Sequence, residues 1–334
     1  MRQVRIALIG CGMFFRGMHI PNLTKTPKFR VIATMDVSES AAQEAAQEAQ
    51  ADYWTCDLNR ILGDQNIDAV VIATRHDSHA ELSVSCADAG KHILCEKPMA
   101  LNTQQCRAIT DAVRRNGVKY TVGYNRGMAP LVTKARDLLS GLGGKKMIYH
   151  RIQAPFPADH WTHDPLVGGG RFVGEGCHIF DLFCELVQSE PVMVYAAGGI
   201  FLDPECVKIP DSATVTITFA DGSVATTLIS SAGCADFPKE ATEVYCDHKA
   251  IYIHDFTEMS YYGFDGHNRI RVELDSVDKG HAIELDRFAD SILNDTAPPN
   301  GLVQAARAAV ISFKVDESIA TGLPGTIRAD EYVF

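Results

Sequence analysis

The sequence predicts an α/β dinucleotide-binding domain of the Rossmann type, followed by an α+β domain built on a large, mainly antiparallel open sheet. Three observations predict it. Residues 1–122 alternate short apolar runs with helical runs at the spacing of a doubly wound fold, the first apolar run passes straight into Gly10-Cys11-Gly12, and beyond residue 145 the texture turns to period-two alternation. A chain of 334 residues exceeds the usual size of one compact domain, so a division into residues 1–122 and 123–334 follows from length as well as from pattern.

In the first domain, strands are predicted at 4–9, 30–35, 68–73, 92–95 and 118–122. Ser38 precedes an Ala/Glu/Gln-rich run to Gln50, Asp77 precedes the run to Ala89, and Asn102 precedes Thr103 to Arg115. Each can accept a hydrogen bond from the free N–H groups of a helix start. Gly90 and Gly117 follow as stop signals. In open parallel sheets ligands lie beyond the carboxyl ends of the strands, and Gly10, Asp36, Thr74 and Lys97 each fall at such an end. The two glycines allow a tight turn and close approach of backbone N–H groups, here leading into Met13 and Phe14, to a pyrophosphate. Phe15 stands where a third small residue is usual. A carboxylate at Asp36 suits both ribose hydroxyls and repels a 2′-phosphate, so NAD is expected rather than NADP.

In the second domain, strands are predicted at 146–154, 212–220, 223–231, 242–247, 250–256 and 269–274, with turns at Asp221-Gly222 and His248-Lys249. Helices follow at 281–294 and 301–321. An antiparallel sheet covered by helices on one side leaves the other face open, and the strand at 213–219 carries Val215, Ile217 and Phe219 on one face. Such a face needs covering, so a homo-oligomer, dimer or tetramer, is expected.

Between the first of these strands and the rest of the sheet lies a Pro/Gly-rich segment from Pro155 to Arg171, with the composition of a lid over a polar substrate. Arg151, His160, Trp161 and Arg171 are the substrate-side candidates, and Asn125 is placed where cofactor and substrate would meet. Beyond the lid, Glu175, His178, Asp181 and Glu185 recur at three- and four-residue spacing, opposite Phe180, Phe183, Leu186 and Val187. His178 is therefore expected near a helix start on its polar side, and Glu185 reads as solvated.

Composition excludes several classes. With 31 basic against 42 acidic residues and a net charge of -11, the chain is a poor ligand for nucleic acid or an anionic membrane. No apolar stretch approaches a membrane span. Ten cysteines, scattered singly with no Cys-x-x-Cys, fit a reducing compartment, and the cytoplasm is expected. His76-x-x-His79 and His160-x-x-His163 lack a patterned third ligand, so no metal is expected.

Taken together, Gly10-x-Gly12 with His19-x-Pro21-x-Leu23, Ala73-Thr74 with His79, Glu96-Lys97-Pro98, Gly123-Tyr124-Asn125-Arg126, and Gly168-Gly169-Gly170 through His178 and Asp181 resemble the glucose-fructose oxidoreductase and inositol dehydrogenase family, Gfo/Idh/MocA. The resemblance covers nearly the whole chain. It implies oxidation or reduction of a sugar, cyclitol or sugar derivative by a pyridine nucleotide, with Thr74, Arg75, His79 and Glu96 on the cofactor side and a cis peptide bond before Pro98. It also matches Lys97 to the family's active-site lysine and His178 to its active-site histidine. Two positions depart. The family's aspartate four residues before the histidine is Gly174 here, with Glu175 next; either Glu175 takes the carboxylate role or the site runs on Lys97 and His178 alone. Arg75 replaces the usual proline.

An alcohol dehydrogenase needs a base poised near neutral pH. Histidine, with a reference pKa of about 6.5, meets this directly, whereas lysine, at about 10.4, needs a large shift. His178 is accordingly read as proton donor and acceptor, and Lys97 as the group that polarises the substrate oxygen and shares its proton. Two other readings stay open: a nucleotide-sugar dehydrogenase with Arg75 and Arg171 on phosphate, and a regulator that binds NAD without turnover.

Overall fold

The computed structural model describes residues 2–264, 266 and 268–334. By its internal contacts the chain divides into two units: the residues up to Tyr124 with His281–Ala306 and Phe334, and Asn125–Gly280 with Arg307–Val333.

The first unit begins β1 (Val4–Ile9), α1 (Ile20–Leu23), β2 (Phe29–Met35), α2 (Glu39–Ala49), β3 (Tyr53–Thr55), α3 (Leu58–Gly63), β4 (Ala69–Ile72), α4 (His79–Asp88), β5 (His92–Cys95), α5 (Thr103–Asn116) and β6 (Tyr120–Val122). Its strands form one parallel sheet in the order β3-β2-β1-β4-β5-β6, the doubly wound arrangement that the sequence predicts. Ser38 and Asn102 cap α2 and α5, accepting from the Ala41 and Gln105 amides. Asp77 does not cap α4. A 3-10 turn over His76–Ser78 intervenes, and α4 starts at His79. At three and six residues, β3 and α3 are too short to show a period in sequence.

The second unit contains α6 (Pro130–Ser140), β7 (Met147–Gln153), α7 (Cys177–Val187), β8 (Pro191–Gly199), β9 (Ser212–Phe219), β10 (Val224–Ser230), β11 (Glu240–Cys246), β12 (Lys249–His254), β13 (Glu258–Tyr262) and β14 (Ile270–Glu273). The chain ends with α8 (His281–Leu293), α9 (Leu302–Thr321) and β15 (Gly325–Thr326). A nine-stranded sheet runs β14-β13-β12-β11-β7-β10-β9-β8-β15, antiparallel except where β10 pairs with β7. Asp221-Gly222 lies in the β9–β10 connection as expected. The other turn is one residue early: Asp247 and His248 take φ of 48° and 61°, because Lys249 already pairs with Cys246.

Two expectations are corrected. A contiguous second domain from residue 123 is not what the contacts draw. Leu285, Phe288 and Ala289 of α8 are buried in one cluster with Val4, Ile6 and Leu8 of β1, so this helix belongs to the nucleotide-binding unit. The open sheet face is also the opposite of the one named. Val215, Ile217 and Phe219 are at most 2% exposed, on the side where α7 packs, as Gly176 and Phe183 meeting Ile229 and His150 show. The register instead aligns Tyr195, Thr216, Thr226, Tyr149, Glu243 and Tyr252 across the other face, flanked by a row containing the exposed Met193, Met147 and Tyr245.

Candidate active site

The first unit brings Gly10, Asp36, Thr74 and Lys97 to the carboxyl ends of β1, β2, β4 and β5. Gly10 takes φ +88°, and a Cβ there would stand 2.6 Å from the Ala73 carbonyl oxygen. Only glycine fits. Gly12 is the reverse case, because a Cβ would meet nothing within 4 Å, which leaves the backbone open to a phosphate. Asp36 is oriented toward this turn: its Oδ2 accepts from the Cys11 amide at 2.7 Å and its Oδ1 from the Ser38 amide at 2.8 Å. Met13 and Val37, the next residues after Gly12 and Asp36, are each 92% exposed, and Phe14 is half exposed. A carboxylate, an uncrowded glycine turn and uncovered apolar side chains are what an adenosine diphosphate moiety requires. These residues fit NAD.

Phe15 is buried, and the helix that follows the glycine turn widens into a π turn from Phe15 to His19. That turn carries His19 into the interior, where its Nε2 lies 2.6 Å from Glu96 Oε1. Glu96 Oε2 accepts from the Lys97 amide at 3.2 Å, and a Cβ on Gly123 would come within 3.0 Å of the same oxygen. Burial opposes charge on Glu96, but the His19 hydrogen bond, with the charges of His19 and Lys97, outweighs it and holds the carboxyl at about 2. Lys97 itself is half-buried, and the Lys97–Pro98 peptide is cis, as the resemblance implied.

Glu96 and His79, both expected on the cofactor side, are held by hydrogen bonds within the unit. His79 is fully buried, with Nδ1 2.8 Å from the Pro98 carbonyl oxygen and Nε2 3.2 Å from that of Thr74. It braces the loops after β4 and β5, and burial lowers its pKa. Thr74 Oγ1 lies 2.6 Å from Ser78 Oγ, while Arg75 is exposed in an extended conformation.

In the second unit, Gly169 and Gly170 have φ of 71° and 85°, and a Cβ on Gly168 would overlap the Thr162 backbone. The glycine run thus reverses the chain tightly against the lid segment. A π turn over Phe172–Gly176, which carries Glu175, then runs into α7, with Arg171 just before the turn and His178 in the first turn of the helix. His178 is 4% exposed. Apart from Glu185, every residue of α7 is buried, so the amphipathic face read from sequence does not exist. Glu185 itself is only partly exposed and accepts from Arg136 Nη1 at 2.5 Å.

Glu175 belongs to a buried ion network. Arg126 donates from Nε to Glu240 Oε2 at 2.8 Å, and from Nη2 to Glu240 Oε1 at 3.0 Å and Glu175 Oε1 at 3.1 Å. Lys279 Nζ donates to Glu240, and Lys239 Nζ lies 3.6 Å from Glu175. Burial opposes ionisation of Glu240, but the charges of Arg126 and Lys279 prevail and hold it at about 2. His150, with Nδ1 2.9 Å from Thr242 Oγ1, is lowered to about 4 by burial, which the Arg126 and Lys279 charges reinforce against Glu240. Glu240 and Lys279 escaped the sequence analysis. Their only signal was charge at the margins of apolar alternation.

Of the substrate-side candidates, Asn125 is 2% exposed and donates to the Lys279 carbonyl at 2.7 Å, a brace within the unit. Arg151 lies on the open sheet face, opposite His150 on its strand, with its guanidinium 4.4 Å from the Phe237 ring centre and Nη1 donating to Pro238. Strand alternation thus separates Arg151 from the face on which α7 packs. His160 contacts Thr162 Oγ1 through Nδ1 and stacks near Trp161 at 5.3 Å between ring centres, so the lid pair stays together. Arg171 is buried, with Nε donating to Ser231 Oγ at 3.1 Å. Among the described residues, no three His, Cys, Asp or Glu side chains form a metal-binding group.

Comparison with known proteins agrees with this picture. Residues 4–124 match the model of the oxidoreductase family with an NAD-binding Rossmann fold, and residues 133–252 match the C-terminal domain of the same family. The chain is 26% identical to the uncharacterized oxidoreductase YrbE of Bacillus subtilis strain 168, over 99% of each chain. It is 31% identical to the scyllo-inositol 2-dehydrogenase (NAD(+)) of the same organism, over 66% of this chain and 65% of that one. A crystal structure of a putative myo-inositol dehydrogenase from Sinorhizobium meliloti 1021 superimposes with a TM-score of 0.83 at 25% identity, covering 98% of this chain and all of the other. Both halves of the chain carry one family's signatures, and the protein belongs to the Gfo/Idh/MocA oxidoreductases.

Proposed function

We propose that the protein is an NAD-dependent dehydrogenase that oxidises a secondary alcohol of a sugar, cyclitol or sugar derivative. Bound NAD supplies the hydride acceptor. Gly10, Gly12 and Asp36 hold it, with Met13, Phe14, Val37, Thr74 and Arg75 as further contacts. Lys97, whose backbone amide is fixed on Glu96, polarises the substrate hydroxyl, and His178 takes its proton. The observation that carries the reading is His178 itself: an imidazole 4% exposed in the first turn of a buried helix is a placed group and not a surface histidine.

Of the two roles open to Glu175, its engagement by Arg126 favours a positioning role, so proton handling rests on Lys97 and His178. Similarity to inositol dehydrogenases supports the substrate class. The exposed Met147, Tyr149, Tyr195 and Tyr245 support a homo-oligomer closed over the open sheet face. Ten free cysteines, seven of them buried, favour a reducing cytoplasm. No helix among the described residues is long and apolar enough to cross a membrane.

Replacement tests the assignment. Lys97→Ala and His178→Ala should each lose at least about a hundredfold in kcat while keeping NAD affinity within about threefold. Undiminished turnover in either variant removes that residue from the chemistry.

A further inference from the structure

Two arginines of the second unit, Arg126 and Arg171, are 4% and 6% exposed, and the fold treats them differently. Arg126 meets two carboxylates, Glu240 and Glu175. Arg171 meets none. Its Nε donates to Ser231 Oγ at 3.1 Å and its guanidinium carbon lies 4.1 Å from the centre of the Phe156 ring. Among the described residues, no carboxylate oxygen lies within 4.0 Å of it and its two terminal nitrogens make no hydrogen bond. The carboxylates whose charge reaches it are occupied elsewhere. Asp211 accepts from the Phe201 and Leu202 amides at 3.0 and 3.1 Å and from the Ser212 hydroxyl at 2.7 Å, while Glu175 is held by Arg126.

A guanidinium does not shed its charge, and a buried charge left without a partner is costly. Burial accordingly lowers the Arg171 pKa. The side chain is nevertheless fixed, since Ser231 Oγ is itself locked by donating to the Asp211 carbonyl at 2.8 Å. His163, 5% exposed, packs edge-on against the same Phe156 ring, and apart from a marginal approach to the Pro157 backbone its ring nitrogens have no hydrogen-bond partner. A fixed cation that no carboxylate contacts, beside an imidazole with its ring nitrogens unspent, has the parts of an anion site.

We propose that Arg171 anchors a carboxylate-binding subsite and that the enzyme's substrate is therefore a sugar acid, a uronate-like compound bearing one carboxylate besides the alcohol oxidised. The proposal rests on the dehydrogenase reading above for the alcohol, but not for the carboxylate. The two terminal nitrogens of one guanidinium match a carboxylate fork-to-fork. A phosphate dianion would leave a surplus negative charge beside Glu175 and Asp211. Arg171 precedes His178 by seven residues on the helical segment that the π turn over Phe172–Gly176 joins to α7.

The test compares matched pairs on the NAD-loaded protein: glucuronate with glucose, galacturonate with galactose, and glucose 6-phosphate as the phosphate arm. Wild type should show kcat/KM at least about thirtyfold higher on a uronate than on its neutral partner, through KM. Arg171→Met should bring that ratio close to one, and Arg171→Lys should keep part of it. Thermal stabilisation of wild type by each compound gives a second readout that needs neither turnover nor a folded variant. Uronates should stabilise more than neutral sugars. Equal or better binding and turnover of the neutral partners overturns the proposal, as does preference for the phosphate. If no compound is turned over, the dehydrogenase reading fails, and the stabilisation ranking still decides for or against the carboxylate.

Discussion

Arg126→Met attacks the network that holds the helix bearing His178. The structure sets the size of the effect. Arg126 and Glu240 are 4% and 1% exposed, and two carboxylates, Glu240 and Glu175, share the one guanidinium. Methionine keeps most of the stem packing but removes the charge that both Glu240 and Glu175 share, while Lys279 stays on Glu240 and Lys239 near Glu175. Removing one partner of a buried pair costs about 3–5 kcal/mol. At about 2–4 °C per kcal/mol for a unit of this size, the melting temperature should fall by about 6–20 °C. Circular dichroism at pH 7 measures it directly. The Arg126→Met/Glu240→Gln double variant should recover part of the loss, giving a coupling energy of about 1–3 kcal/mol. Because Arg126 is among the charges that keep His150 low, His150 in the single variant should also titrate at higher pH by NMR. A fall under about 2 °C, or strictly additive variants, would refute the reasoning.

Three further outcomes follow from the same geometry. Gly12→Ala should fold normally, since its Cβ meets nothing, yet weaken NAD binding at least about tenfold by calorimetry; Gly10→Ala, forced against Ala73, should lose stability as well. Asp36→Ser should shift the NAD-to-NADP ratio of kcat/KM by at least about thirtyfold toward NADP, and an unchanged ratio would remove Asp36 from cofactor choice. Stability should fall in two stages on acidification. His150, lowered from 6.5 to about 4, lets the unfolded chain take up a proton that the fold refuses, so up to about 3 kcal/mol is lost as pH drops through that window. Glu96 and Glu240, lowered from 4.5 to about 2, contribute stability above 4.5 that disappears as pH falls toward 2. Urea midpoints against pH, flat between 6.5 and 4 in the native protein, would contradict the first stage.

The Rossmann half was legible because its determinants are local: buried strands read as continuous apolar runs, and Gly10, Asp36 and Lys97 follow them directly. What could not be read depends on partners distant in the chain. The α8 pattern announces that Leu285 and Phe288 are buried, but not that β1 receives them. Alternation along β9 separates Val215, Ile217 and Phe219 from Thr214, Thr216 and Thr218, yet either set can face the core until α7 is placed. The same limit governs the site. Glu175 stood beside a missing aspartate and invited a catalytic role; only Arg126, 49 residues away, gives it another. Arg151 looked equivalent to Arg171 until strand alternation sent it to the opposite face.

The central claim is hydride transfer between an alcohol and NAD, and the most direct measurement is absorbance of the reduced nicotinamide when the purified protein is mixed with NAD, then NADP, across inositols, aldoses, uronates and nucleotide sugars. The account predicts reduction of NAD by a cyclitol, sugar or sugar acid, slower with NADP and abolished by Lys97→Ala. Tight NAD binding with no reduction by any compound would contradict it and point to a regulator that senses the nucleotide without using it.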